Sequence, residues 1–265
     1  VVRIAKEENV SSIISFWCQE TALIGIHVSK RLGITHKIWI CGQDARKKNL
    51  WMKLMKPAPK MLVAMSDFLS KEFSKNHRIT PAHVVRNGVE ESLFSKSYLS
   101  KDVDLIGVGS LIPLKQYDKF IDVVQQIKKV RRDVKVLLVG DGRERKRIQE
   151  LIAQKDLTGT ITLCGELPHD EAIRLLERSK VLLHPSSYEG YSTVCLEALY
   201  AGCQVVSFTF AENRQIPNWN IVATVSEMTK VTLEILNAER NPERILVNSM
   251  DQAAADFIAL LNHAE

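Results

Sequence analysis

Residues Glu189 to Val206 read EGYSTVCLEALYAGCQVV, and they follow the apolar run VLLHPSS that ends at Ser187. A short apolar run stopped by Pro185 is the signature of a buried strand. Gly190 permits a tight turn that a side chain would obstruct. From about Thr193 the pattern becomes helical, with Val194, Ala198 and Ala201 on one face. Gly202 stops that helix, and Gln204-Val205-Val206 opens the next strand. Glu189 is therefore expected at a strand-to-helix crossing, and Glu197 one or two turns into the helix. A helix N-terminus beside Ser192 and Thr193 offers backbone N–H groups and the positive end of the helix dipole. An anionic group such as a diphosphate binds at such a place. Two carboxylates beside it are costly unless each has work to do, such as accepting hydrogen bonds from sugar hydroxyls. Either glutamate alone reads as a solvated surface residue. Their spacing and setting together read as a site.

The neighbouring segments repeat the same alternation. Upstream, Leu105–Val108, VKVLLV (134–139) and ITLC (161–164) read as strands. Helices are expected over Tyr117–Val130, Arg143–Gln154 and His169–Ser179, the last capped near Asp170. Tyr117, Phe120, Ile121, Val124 and Ile127 give the first of these one apolar face. Repeated strand and helix with short links predicts a doubly wound parallel sheet with ligands at the carboxyl ends of its strands. Downstream, residues from Met228 onward read as two helices.

The first hundred residues form a second such unit. SSIISF (11–16), KIWIC (37–41), MLVAM (61–65) and HVVR (83–86) read as strands. A helix is expected over Glu20–Leu32, closed by Gly33. Ser66 is placed to cap another over DFLSKEFSK. Asn87-Gly88 predicts a turn with positive φ. The polar segment LSKDVD (99–104) marks the boundary, which divides the chain into domains 1–98 and 99–265.

Bulk properties are those of an ordinary globular chain: 265 residues, 45% hydrophobic and 25% charged. No run of about eighteen apolar residues is present, so no spanning helix is expected. The five cysteines show no C-x-x-C spacing, which supports neither a zinc site nor a disulfide framework. The net charge of +5 is uneven, with +8 in residues 1–100 and −3 in the remainder. That distribution favours an anionic surface or substrate for the first part and argues against nucleic acid as a partner of the second. Residues 45–60, ARKKNLWMKLMKPAPK, hold six basic residues and no acidic one. Leu50, Trp51, Leu54 and Met55 give this stretch one apolar face. It reads equally as a basic amphipathic helix lying on an anionic membrane or as a helix packed on its domain with a solvated basic face.

The pair Glu189 and Glu197, spaced E-x7-E, closely resembles the donor-site signature of retaining glycosyltransferases of family 4. Those enzymes have the GT-B fold of two facing Rossmann-like domains. Other stretches agree in the family's order: VRNGVEESLF, LIGVGSLIPLKQYDKFIDV, VLLVGDGRER, ITLCGELPHDEAIRLL and VLLHPSSYEG. The resemblance covers most of residues 10–206. It implies transfer of a sugar from a nucleoside diphosphate sugar to a glycan or lipid-linked hydroxyl, with retention of configuration and without a metal or other cofactor. By resemblance, Glu197 holds the ribose hydroxyls, Glu189 lies by the donor sugar, and Lys115 neutralises the diphosphate leaving group. Gly190, Tyr191, Ser192 and Thr193 line the diphosphate, Ser110 belongs to the first loop, and Glu166 and Leu167 meet the nucleobase. A cytoplasmic protein, peripheral at the inner membrane face through residues 46–60, is expected.

This sequence departs from the family in specific places. Ser110 stands where the family often has Arg, and Gln116 stands where Gly usually follows the lysine. Cys41 replaces a His that lies near the reacting sugar in the family, and Gln43 and Asp44 follow it. FTFAENRQIPNWNIV matches the family's next segment poorly, with Glu212 as its remnant. The resemblance also implies an N-terminal domain that begins about two strands late. These departures motivate one rival, a nucleotide-sugar-binding module without turnover. A second rival is a different enzyme on the same fold, such as a nucleotide-sugar epimerase or a phosphorylase, the latter lacking a recognisable cofactor-lysine context here. Gly140-Asp141-Gly142 lacks the third glycine of a dinucleotide fingerprint, which disfavours an oxidoreductase.

Overall fold

The computed structural model describes residues 1–211, 214–238 and 241–262. Two parallel sheets organise them. The first comprises β1 (Ser12–Phe16), β2 (Thr35–Ile40), β3 (Leu62–Ala64) and β4 (His83–Val84), in that order. Its helices are α1 (Val2–Glu7), α2 (Glu20–Leu32), α3 (Trp51–Met55) and α4 (Asp67–His77). The ends of α2 and α4 follow the sequence. Gly33 closes α2 with φ 69°, and Ser66 caps α4 by accepting from the Leu69 amide at 3.1 Å. α1, ahead of β1, was not apparent in the sequence.

The second sheet runs β10–β9–β8–β5–β6–β7, all parallel. Its strands are β5 (Val103–Val108), β6 (Val136–Val139), β7 (Ile161–Gly165), β8 (Ser179–His184), β9 (Gln204–Ser207) and β10 (Trp219–Ile221). The associated helices are α5 (Tyr117–Val130), α6 (Arg145–Gln154), α7 (His169–Glu177), α8 (Thr193–Tyr200) and α9 (Val225–Asn237). The chain leaves β5 toward β6 on one side and later returns to place β8 on the other. β5 and β8 are thus the pair at which the strand order reverses, where ligands of such sheets bind. Phe120, Ile121, Val124 and Ile127 of α5 are fully buried against this sheet, as their spacing predicts.

The final helix, α10 (Met250–Asn262), differs from expectation. The compact units are residues 1–88 with Ala211, Arg214 and the segment from 248, and residues 89–210 with 215–247. α10 therefore belongs with the first sheet and not with the C-terminal domain. Phe257 packs edge-on to Trp39 with ring centroids 4.8 Å apart, and Ala253 and Phe257 share a core with Val63 and Val85. Gly88 shows why this packing is possible. It does not have the expected positive φ; instead, a Cβ there would lie 2.1 Å from the Ser249 backbone. The glycine serves close approach of two chain segments, not a turn.

Residues 45–60 do not form one long helix. Asn49 donates to the Cys18 and Asp44 carbonyls and accepts from the Trp51 amide, so side-chain bonds hold the first half in turns. Lys56 takes a left-handed φ of 42°, and Pro57 and Pro59 prevent continuation. Only α3 is α-helical there, with Met52 in the core and Leu50 and Leu54 exposed. Two smaller expectations also shift. α7 starts behind Pro168 without a side-chain cap, leaving Asp170 to act through the helix dipole. β10 was not apparent in the sequence. Glu212 lies outside the described residues.

Candidate functional site

The loops leaving β5 and β8 meet at the point where the strand order reverses. The turn Pro113–Lys115 is fastened to the loop after His184 through one acceptor, the Leu114 carbonyl. It takes bonds from the Ser187 amide (2.9 Å), the Ser187 hydroxyl (3.1 Å) and the Ser186 hydroxyl (3.3 Å). This fastening delivers Lys115 to Glu189: Nζ lies 2.6 Å from Oε1, with both side chains mostly enclosed. Gln116, directly after the lysine, takes φ 49° and ψ 48°. That is the left-handed conformation glycine adopts freely, so the turn the resemblance implies is made here with a side chain present.

The loop after β6 packs on the same place through glycine. A Cβ on Gly140 would lie 2.0 Å from the Gly109 carbonyl oxygen, and one on Gly142 would lie 2.6 Å from that of Leu111. These glycines set backbone against backbone. Ser110 is exposed beside them.

Glu189 has a second partner. His184, the last residue of β8, places Nε2 at 3.0 Å from the same Oε1 and 3.3 Å from the Ser192 hydroxyl. Burial works against the charged form of Glu189. The hydrogen bond and charge of His184 and the Lys115 ammonium outweigh it and hold the carboxyl below the usual range. Burial pushes His184 the other way, toward its neutral form, against the pull of Glu189. An ion pair this enclosed is weak evidence for stability, because desolvation offsets its attraction. Its place at the strand-order reversal points instead to a role in binding.

α8 begins beside this cluster. Ser192 is its N-cap residue, yet its hydroxyl faces His184 and does not cap the helix. Tyr191 and Gly190 are buried before it, and Thr193 opens the first turn. Glu197 follows on α8, with its side chain 13% exposed, and its Oε1 lies 2.9 Å from Nε2 of His169 at the start of α7. The structure therefore joins Lys115 to Glu189, and Ser192 to the same group through His184. Among the described residues, no hydrogen bond ties Ser110, Glu166 or Leu167 to that group. Glu166 and Leu167 follow β7, two strands from β5, with Glu166 exposed. Sequence reading missed His184 and His169. The signal for His184 was a polar residue ending an otherwise apolar strand; His169 gave none.

In the first unit, Asp44 is wholly buried and accepts from the Cys41 amide at 2.9 Å, which holds the turn after β2. Burial, and the Asp44 charge after it, push the Cys41 thiol up to about 12, so it stays protonated at neutral pH. Gln43 is exposed. Among the described residues, no group of three or more His, Cys, Asp or Glu side chains comes together to hold a metal ion. Among the same residues, no helix is long and apolar enough to cross a membrane.

Comparison with known proteins finds glycosyltransferases similar to this chain in sequence and in fold. An uncharacterized glycosyltransferase from Methanocaldococcus jannaschii is 24% identical over 211 residues, 77% of this chain and 57% of that protein. The capsular polysaccharide biosynthesis glycosyltransferase CapH of Staphylococcus aureus is 23% identical over 81% of this chain and 64% of its own length. The chain spans under two thirds of these curated relatives. Anabaena HepE, solved in complex with UDP-glucose, superposes with a TM-score of 0.73 at 19% identity, over 98% of this chain and 78% of that one. S. aureus TarM, solved with UDP, gives 0.72 at 16% identity, over 98% and 54%. The fold is that of GT-B glycosyltransferases. Residues 89–218 of the chain match the family of glycosyl transferases group 1.

Proposed function

We propose that this chain contains the donor half of a retaining glycosyltransferase that uses a nucleoside diphosphate sugar. The observation that carries the reading is the Lys115–Glu189 pair at 2.6 Å, set beside the start of α8 where β5 and β8 diverge. In the reaction, the bond from the anomeric carbon to the diphosphate breaks. A bond to the acceptor hydroxyl forms on the same face, and the acceptor proton is released. Negative charge grows on the departing diphosphate. Lys115 and the first turn of α8 meet that charge with no reorganisation of solvent. No metal is required for this step. Glu197 accepts from the ribose hydroxyls, and Gly190, Tyr191, Ser192 and Thr193 shape the diphosphate cradle. Glu166 and Leu167 border the nucleobase, and Ser110 takes the place of a second cation. Glu189 aligns the sugar and stabilises positive charge at the anomeric carbon.

HepE and TarM carry UDP or UDP-glucose in their solved complexes, which favours a UDP-sugar as the first donor to test. The acceptor we propose is a glycan or lipid-linked hydroxyl at the cytoplasmic face of a membrane, approached through the basic residues 46–60. The test is hydrolysis and transfer of UDP-sugars by this chain and its Glu189→Ala variant, with nucleotide affinity measured beside turnover. Glu189→Ala should lose turnover far more than affinity. Full turnover in that variant would remove its catalytic role. UDP binding with no turnover in the unaltered chain would favour a binding module, and interconversion of the donor sugar would favour an epimerase.

A further inference from the structure

Glu189 Oε1 is shared by Lys115 and His184, and the two partners differ in what the proposed reaction asks of them. Lys115 is needed at the diphosphate. When a donor binds, the ammonium is drawn toward phosphate oxygens, and Glu189 loses one of its two contacts. His184 has no such competing demand. Its side chain is 4% exposed, it ends the central strand β8, and it cannot follow a ligand without disrupting that strand. A carboxylate only accepts hydrogen bonds, so the 3.0 Å contact places a proton on Nε2 of His184. The Ser192 hydroxyl lies 3.3 Å from the same nitrogen, so one ring atom fixes both the carboxylate and the residue that begins α8.

We infer that His184 is the positioning residue of this site: its Nε2–H keeps Glu189 aligned after the donor has drawn Lys115 away. The inference rests on the donor-site reading above and adds a division of labour to it. Lys115 moves between Glu189 and the diphosphate during a cycle, while His184 stays on Glu189 throughout. A misdirected carboxylate would leave donor binding intact and impair the chemical step.

Two experiments test this, one without turnover. In protein labelled with 15N at histidine, the His184 Nε2–H signal should be slow to exchange and should persist when UDP is added. It should also persist in Lys115→Ala and disappear in Glu189→Ala. Loss of the signal on UDP binding, or its survival in Glu189→Ala, overturns the inference. Failure of UDP to bind the unaltered chain instead overturns the donor-site reading. In activity, His184→Ala should lower kcat by about a hundredfold, the scale of a misplaced catalytic group, while UDP affinity changes less than about twofold. His184→Gln, whose amide nitrogen reaches a similar place, should recover most of that loss. In a Glu189→Ala background, His184→Ala should have no further effect. A His184→Ala loss that Gln does not recover, or that persists without Glu189, would mark the histidine as part of the fold's packing only.

Discussion

His169 Nε2 lies 2.9 Å from Glu197 Oε1, which joins the first residue of α7 to the second glutamate of the E-x7-E pair. In the donor-site reading, a ribose would compete for this carboxylate or share it with the imidazole. Glu197→Ala should weaken UDP binding by about ten- to a hundredfold, since bonds to a charged group contribute about 1.5–3 kcal/mol. The His169 side chain is 59% exposed, so its pair with Glu197 should add little to stability. His169→Ala should therefore leave thermal unfolding nearly unchanged and reduce UDP affinity less than Glu197→Ala does. Calorimetric titration of both variants decides this. Unchanged affinity in Glu197→Ala removes its ribose role.

Gln116 occupies a left-handed conformation directly after Lys115. An L-residue loses roughly 1–2 kcal/mol there. Replacement by glycine removes that strain but loosens the unfolded chain by about 0.5–1 kcal/mol. Its backbone bonds to Pro113 and Lys119 are independent of the side chain. Gln116→Gly should thus be neutral or stabilising by up to about 1 kcal/mol, read as an unchanged or raised Tm. A clear fall in Tm would show that the Gln116 side chain supports the loop.

The Glu189–Val206 stretch was legible because each local signal in it agreed: an apolar strand, a proline stop, a helical period and a glycine end. Gly202 does end α8, with φ 77°. What sequence could not supply was long-range contact. Nothing local to His184 says that its ring reaches both Glu189 and Ser192. Nothing in Asn87-Gly88 says that the chain at Ser249 returns to lie against it. The same limit explains α10: its apolar residues predict a helix but not which sheet receives it. In residues 45–60 the error was of another kind. An amphipathic pattern was visible, but Asn49 supplies competing side-chain bonds that hold turns where the period suggests helix.

Asp44 gives the first unit a pH dependence. Burial raises its carboxyl to about 6, against the lowering effect of backbone hydrogen bonds, while its ordinary value is 3.8. One oxygen accepts from the Cys41 amide, and the other is buried without a partner. A raised folded-state value means that the native chain holds this proton more tightly than the unfolded chain does. The associated stability is full below about pH 4 and is lost as pH rises through about 6. The loss amounts to about 3 kcal/mol, from roughly 1.4 kcal/mol per pH unit. Asn cannot ionise, so Asp44→Asn should remove this component. The difference in unfolding free energy between the two proteins should shift in favour of the variant across pH 4 to 6 and be level above about pH 7. A flat difference across that range would show that Asp44 is not the titrating group.

The basic stretch remains a surface with exposed apolar side chains, although its helix is short. Lys47, Lys48, Lys53 and Lys56 are exposed, and Leu50 and Leu54 are 72% and 66% exposed around the five residues of α3. Each lysine near an anionic surface contributes about 1 kcal/mol. Neutralising all four should therefore reduce co-sedimentation with phosphatidylserine-containing vesicles by about a hundredfold or more, and raising the salt should mimic the effect. Leu50→Ala with Leu54→Ala should weaken association further while leaving its salt dependence in place, because the leucines would insert and the lysines attract. Met52 is buried in the core of the first unit and is left unaltered in both variants, so a lost fold does not pass for lost attraction. Equal sedimentation of the unaltered and neutralised proteins would identify these residues as a solvated face of the domain.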